Sequence, residues 1–220
     1  MKIGILCTGR CGSTSLYYAL LESILNKENY KFYFEPNNGY SRKGNKEKEH
    51  NKVFNISPDF SHLNLIIKDV ISFIPGPIPY EYNLGISSLK KGISDYYIDY
   101  SKNFDQIILL TRKNELHSAQ SWRQTNLTNV FHQPWVFDTK DINNYYPPLE
   151  ELEQVRNSND ILYTIARELK KPIVYFEDIF TKDLKLVKKF IEFYNLPIEN
   201  FERFYSYLDP KSKYNLRKYV

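Results

Sequence analysis

Sulfur is scarce in this 220-residue chain, which has two cysteines and one methionine. Cys7 and Cys11 lie too close together to staple distant segments, which argues against a disulfide-built secreted scaffold. A C-x-x-x-C pair with no third cysteine, among four scattered histidines, offers no metal-ligand set. Long apolar runs are missing too: none approaches the roughly 20 residues that span a bilayer. Met1–Leu6 is too short for a signal peptide before it meets glycine and arginine, so the expected location is the cytoplasm. Charge of one sign is also limited. Thirty Lys and Arg against 26 Asp and Glu leave +4, too little to argue for a nucleic-acid partner. The same charge, focused in one cleft, suits a small polyanion.

What the chain does have is apolar and aromatic surface. Hydrophobic residues make up 42% of it and aromatics 16%, enough to build a core, and the length suits one compact domain over residues 1–220. Lys2–Cys7, Lys31–Phe34, Leu63–Ile67, Gln106–Leu110 and Pro172–Phe176 read as short strands. Helical spacing follows Ser13 or Thr14 as cap, through Leu16, Ala19, Leu20, Ile24 and Leu25. It returns at Glu115–Gln124 behind Asn114, at Leu149–Lys170 and at Asp183–Tyr194, where Leu186, Val187, Phe190 and Ile191 form the apolar stripe. Residues 37–52 read as a mobile loop and 131–148 as an aromatic, proline-rich substrate lid. Short strands alternating with helices predict an α/β fold with a central, mostly parallel sheet covered on both faces.

Two strand ends carry anion-binding chemistry. After the first strand comes Gly9-Arg10-Cys11-Gly12-Ser13-Thr14-Ser15-Leu16. Its glycines let the backbone approach an anion, the following helix N-terminus offers free N–H groups, and Arg10 with the three hydroxyls adds donors. A nucleotide-triphosphate loop needs Lys directly after its last glycine, and here Ser13 stands there. After the strand Gln106–Leu110 comes Thr111-Arg112-Lys113, and the helix beyond carries Ser118, Ser121 and Trp122. A cation at the strand end and Ser121 two turns along the helix can converge on one phosphate.

Both segments, in this order, resemble sulfotransferases that use 3′-phosphoadenosine-5′-phosphosulfate (PAPS). Arg in the loop and the run Leu110-Thr111-Arg112-Lys113 to Ser121-Trp122 are similar to the bacterial trehalose sulfotransferase-like branch. Val174-Tyr175-Phe176-Glu177-Asp178 resembles a further, structural segment of the family. The resemblance is sparse between residues 36 and 100. It implies a single-domain P-loop-type fold and PAPS as cofactor, with 3′,5′-adenosine bisphosphate as product. The 5′-phosphosulfate would then be held by Arg10, Cys11, Gly12, Ser13, Thr14 and Ser15, with Arg10 also on the sulfuryl group. The 3′-phosphate would be held by Arg112 and Ser121; a one-residue difference in spacing leaves Lys113 as the rival to Arg112. The implied partner is a small-molecule hydroxyl acceptor, a carbohydrate among them, with no nucleic acid and no membrane span. Glu35, at the end of Lys31–Phe34 between apolar Phe34 and Pro36, is the candidate general base. His117, His132, His50 and His62 are its rivals. Lys68 ends a strand and is a candidate to face the cleft. No metal is implied. Asp69 keeps a nucleotide kinase or triphosphatase open as the alternative, and a non-catalytic nucleotide-binding module is the third class.

Overall fold

The computed structural model describes residues 1–36, 58–71, 86–128 and 146–209. The loop expected at 37–52, all but the last residues of the lid expected at 131–148, His50 and His132 lie outside the described residues. Five strands, β1 (Lys2–Cys7), β2 (Lys31–Phe34), β3 (Leu65–Val70), β4 (Gln106–Thr111) and β5 (Ile173–Tyr175), form one sheet among the described residues. Every pairing in it is parallel, in the order β2-β3-β1-β4-β5. This is the expected α/β architecture of a central parallel sheet flanked by helices.

The helices are α1 (Ser13–Ser23), α2 (Ile86–Ser101), α3 (Glu115–Thr128), α4 (Leu149–Leu169), α5 (Phe176–Ile179), α6 (Leu184–Phe193) and α7 (Phe201–Leu208). Side chains alternate across each strand. Ile3, Ile5, Cys7, Ile66, Ile108 and Leu110 pack with α1, α6 and α7 on one face. Leu6, Ile71, Ile107 and Leu109 pack with α2 and α4 on the other. Among the described residues no helix is long and apolar enough to cross a membrane.

Several expected boundaries move, each for a visible reason. Gly12, not Ser13 or Thr14, caps α1: it takes φ 80°, and Ser13 becomes the first helical residue. The helix stops at Ser23, whose hydroxyl turns back to the Ala19 carbonyl; Ile24, extended, bridges to Ile198 instead. Strand β3 runs through Lys68 and Asp69 rather than ending before them, because both are buried with partners. Leu63, counted in that apolar run, is 83% exposed. Phe176 opens α5 instead of closing β5. Leu186 on α6 faces outward, while Val187 and Phe190 are buried. Asn114 caps α3 as expected, its Oδ1 accepting from the His117 N–H at 3.1 Å. Helices α2 and α7 had no counterpart in the sequence reading.

Candidate functional site

The strand order fixes where a ligand can bind. From β1 the chain passes through α1 toward the β2 side, whereas β4 leads to β5 on the opposite side. The crevice beyond the carboxyl ends of β1 and β4 is therefore the switch point of the sheet, where such folds take their ligands. Both segments with the chemistry to bind an anion open onto it. They are joined at the base, where the Thr8 N–H donates to the Leu110 carbonyl at 3.1 Å. Thr111 gives its hydroxyl proton to Asn159 Oδ1 on α4 at 2.8 Å, so Thr8 donates to Thr111 across another 2.8 Å. Asn159 Nδ2 in turn donates to Glu115 Oε1 on α3 at 2.9 Å. This buried chain ties the two strand ends to α3 and α4.

Above it, Arg10 and Arg112 converge. Arg10 has a left-handed φ of 64°, and its Nε donates to Ser121 Oγ on α3 at 3.0 Å. Burial and then the like charge of Arg112 bring the Arg10 guanidinium down to about 10. Arg112 is also lowered by burial, against the pull of Glu177. Both remain cations at neutral pH. The Arg112 guanidinium lies 4.4 Å over the ring of Phe176, which stacks on Phe180 at 4.3 Å. Gly12 sits against both rings: a Cβ there would come within 2.6 Å of Phe176 and 2.9 Å of Phe180. A Cβ on Gly9 would likewise meet the Trp122 ring at 3.0 Å. The loop thus lies between two aromatic surfaces. In sequence Phe176 reads as the last residue of a strand within a structural segment, and its place just before Glu177-Asp178 is the only local signal of this role.

The other expected residues divide. Lys113 turns away from Arg10: its ammonium pairs with Asp178 at 2.5 Å, and its amide donates to Glu177 at 2.9 Å. Of the cations at the end of β4, Arg112 is thus the one beside the loop. Ser13 and Ser15 are buried, and Thr14 is half-buried. His117 is exposed on α3, and His62 lies 3.5 Å from Asp59. Asp69 is fully buried on the α2 face, where its charge helps burial push the Tyr97 hydroxyl upward. Among the described residues no three His, Cys, Asp or Glu side chains are grouped to hold a metal ion.

Glu35 ends β2 at a left-handed φ of 50°, buried, and takes an ion pair from Lys68 of β3. Lys68 also caps the Phe34 ring at 4.3 Å. Burial is the largest influence and opposes its charge, but Glu35 together with the neighbouring Cys7 and Cys11 outweighs it and raises the Lys68 ammonium above its ordinary value. The charge of Lys68 reaches both Cys7 and Cys11. Lys68 therefore links Glu35 to the underside of the loop. Comparisons with protein-family models, with curated proteins and with solved structures find no match to this chain.

Proposed function

We propose that the chain is a sulfotransferase that moves a sulfuryl group from PAPS to the hydroxyl of a small molecule, with carbohydrate among the acceptor classes. The observation that carries this reading is the convergence of Arg10, Arg112 and Ser121 at the switch point. Two like charges in a half-buried crevice repel each other, and a polyanion there offsets that repulsion. PAPS, when bound, supplies the activated sulfuryl group. The Gly12–Thr14 amides at the start of α1 would hold its 5′ side, and Arg112 with Ser121 the 3′-phosphate. Arg10, bonded to Ser121, would stand between the two. Glu35 would accept the hydroxyl proton, oriented by Lys68. A cytoplasmic location, where thiols such as Cys7 and Cys11 stay reduced, goes with this reading.

A nucleotide kinase needs a lysine after Gly12 and a carboxylate free to hold Mg²⁺. Ser13 occupies the first position, and Asp69 is buried under α2. The non-catalytic module draws support from a different observation, that Glu35 is buried and held by Lys68.

The test is thermal shift. 3′,5′-Adenosine bisphosphate without metal should raise Tm more than ATP with Mg²⁺ does. Arg112→Ala should cost about tenfold or more in bisphosphate affinity, at roughly 1.5–3 kcal/mol per charged hydrogen bond, and much less for 5′-AMP. Lys113→Ala should change neither. Equal or greater stabilisation by ATP–Mg²⁺ turns the reading to the kinase. Tight bisphosphate binding without turnover of any sugar or phenol acceptor turns it to the module.

A further inference from the structure

Asn159 is 1% exposed on α4, on the same face as Leu162 and Ala166, which pack in the core with Leu6 and Leu109. A leucine at 159 would continue that apolar stripe, whereas a buried carboxamide needs both of its ends satisfied. Both are: Oδ1 accepts the Thr111 hydroxyl at 2.8 Å, and Nδ2 donates to Glu115 Oε1 at 2.9 Å. Thr111 closes β4 and Glu115 opens α3, so one side chain spans the Arg112–Asn114 turn from end to end. Arg112 directly follows the first partner, and Ser121 lies on the helix that the second begins. Arg156, one turn before Asn159 on α4, steadies the Glu115 carboxylate from 3.4 Å. The join between β1 and β4 does not need this arrangement, since the Thr8 N–H reaches the Leu110 carbonyl through the backbone. What Asn159 adds is a fixed relation between the end of β4 and the start of α3.

We propose that Asn159 is a positioning residue for the 3′-phosphate, holding Arg112 and Ser121 at the separation from which both donate to one anion. That role rests on the reading of Arg112 and Ser121 as the 3′-phosphate ligands; the hold on the turn does not. Two donors on separate elements share a phosphate only within the narrow range of hydrogen-bond lengths, about 2.7–3.2 Å. The Arg112 guanidinium is laid on the Phe176 ring, and Ser121 has a short side chain, so neither can follow a large shift of the other. A tilt of α3 at its first turn is carried along the helix to Ser121. The Gly12–Thr14 side depends instead on α1 and on the packing of Gly12 against Phe176 and Phe180. Loss of the Asn159 carboxamide should therefore disturb the 3′-phosphate grip and spare the 5′ side.

The experiment titrates 3′,5′-adenosine bisphosphate and 5′-AMP into the full chain well below Tm, where a change in stability alone leaves both affinities as they were. Asn159→Leu should weaken the bisphosphate about tenfold or more, the loss of one charged hydrogen bond, and leave 5′-AMP nearly unchanged. Arg112→Ala added to Asn159→Leu should cost much less than it does in the parent, because the grip is already misaligned. Thr111→Val, which keeps the shape and removes the hydroxyl, should act as Asn159→Leu does. Thr111→Ser, which keeps the hydroxyl, should bind as the parent does. A lower Tm with both affinities unchanged, or equal weakening of both ligands, overturns the proposal. A second readout needs no ligand. With Trp135→Phe, Trp122, next to Ser121 and packed on Gly9, is the one remaining indole. Its emission should shift in Asn159→Leu and Thr111→Val and not in Thr111→Ser; unchanged emission in the first two overturns the hold on the turn. If the parent chain does not bind the bisphosphate, the sulfotransferase reading fails and the role toward phosphate with it, while Trp122 emission still decides whether Asn159 holds α3 in place.

Discussion

At Gly12 the backbone turns with φ 80°, and the space where a Cβ would stand is filled by two phenylalanine rings. Alanine there meets two separate penalties: left-handed backbone at about 1–2 kcal/mol, and overpacking at about 1–3 kcal/mol. Gly12→Ala should therefore lower unfolding free energy by roughly 2–5 kcal/mol, read from denaturant midpoints at constant slope. A loss under about 1 kcal/mol would mean that Phe176 and Phe180 yield easily and do not hold the loop. Two other site residues accept the left-handed region without glycine's freedom. Arg10 does so to aim at Ser121, and Glu35 to meet Lys68. Such conformations persist only where surrounding contacts over-determine them.

Among the elements, α2 is the instructive omission. Leu89, Ile93, Tyr97 and Tyr100 follow helical spacing, but Gly92 and several serines break the visible pattern. Packing on the sheet pays for what propensity withholds, since Ile93, Tyr97 and Tyr100 are buried with residues of β1, β4 and α4. Gly92 itself is exposed, its φ is not positive, and a Cβ there would meet nothing within 4 Å. Gly92→Ala should then raise stability by about 0.5–1 kcal/mol, through helix propensity and a less flexible unfolded chain. An unchanged or lower Tm would sink that account. Helix α7 was missed for another reason: Phe201–Leu208 is eight residues long and owes its place to Phe204, Tyr207 and Leu208 packing with α1.

For the whole molecule, alkaline pH is the vulnerable direction. Burial first, with neighbouring charge, holds the protons of Tyr17, Tyr97 and Cys7 above their ordinary values, and burial pushes Tyr194 to about 12. Lys68 is raised as well, burial opposing and Glu35 with the two cysteines together outweighing it. A group whose folded value exceeds its unfolded one contributes stability that is complete below the unfolded value. That contribution is lost as pH rises through the folded value. Arg10, lowered to about 10, works the other way, since its burial cost fades above that pH. The several raised groups outweigh it, so Tm should hold to roughly pH 9–10 and fall beyond, near the ordinary tyrosine and lysine values. The Tyr194 hydroxyl is buried with no partner among the described residues. Tyr194→Phe should be neutral or slightly stabilising at pH 7 and should shallow the alkaline fall. A flat Tm profile to pH 11 would contradict these shifts.

Local pattern was enough to determine that the chain builds short buried strands between helices. It was also enough to pick out the two turns, at Thr8–Ser15 and at Thr111–Ser121, that the structure sets at the carboxyl ends of β1 and β4. Those features live in contiguous residues: an apolar run, a glycine, a cap, a cation. The rest was decided between segments distant in sequence. Nothing near Arg112 or Lys113 tells which of them faces the loop; Asp178 and Phe176, from beyond β5, decide it by pairing with one and stacking on the other. Nothing near Glu35 announces that Lys68 will meet it, or that the strand will therefore run on through Lys68 and Asp69. The physical reason is common to both. A buried charge takes its state from whatever the fold sets against it in low dielectric, and parallel strands set side by side residues that the chain separates.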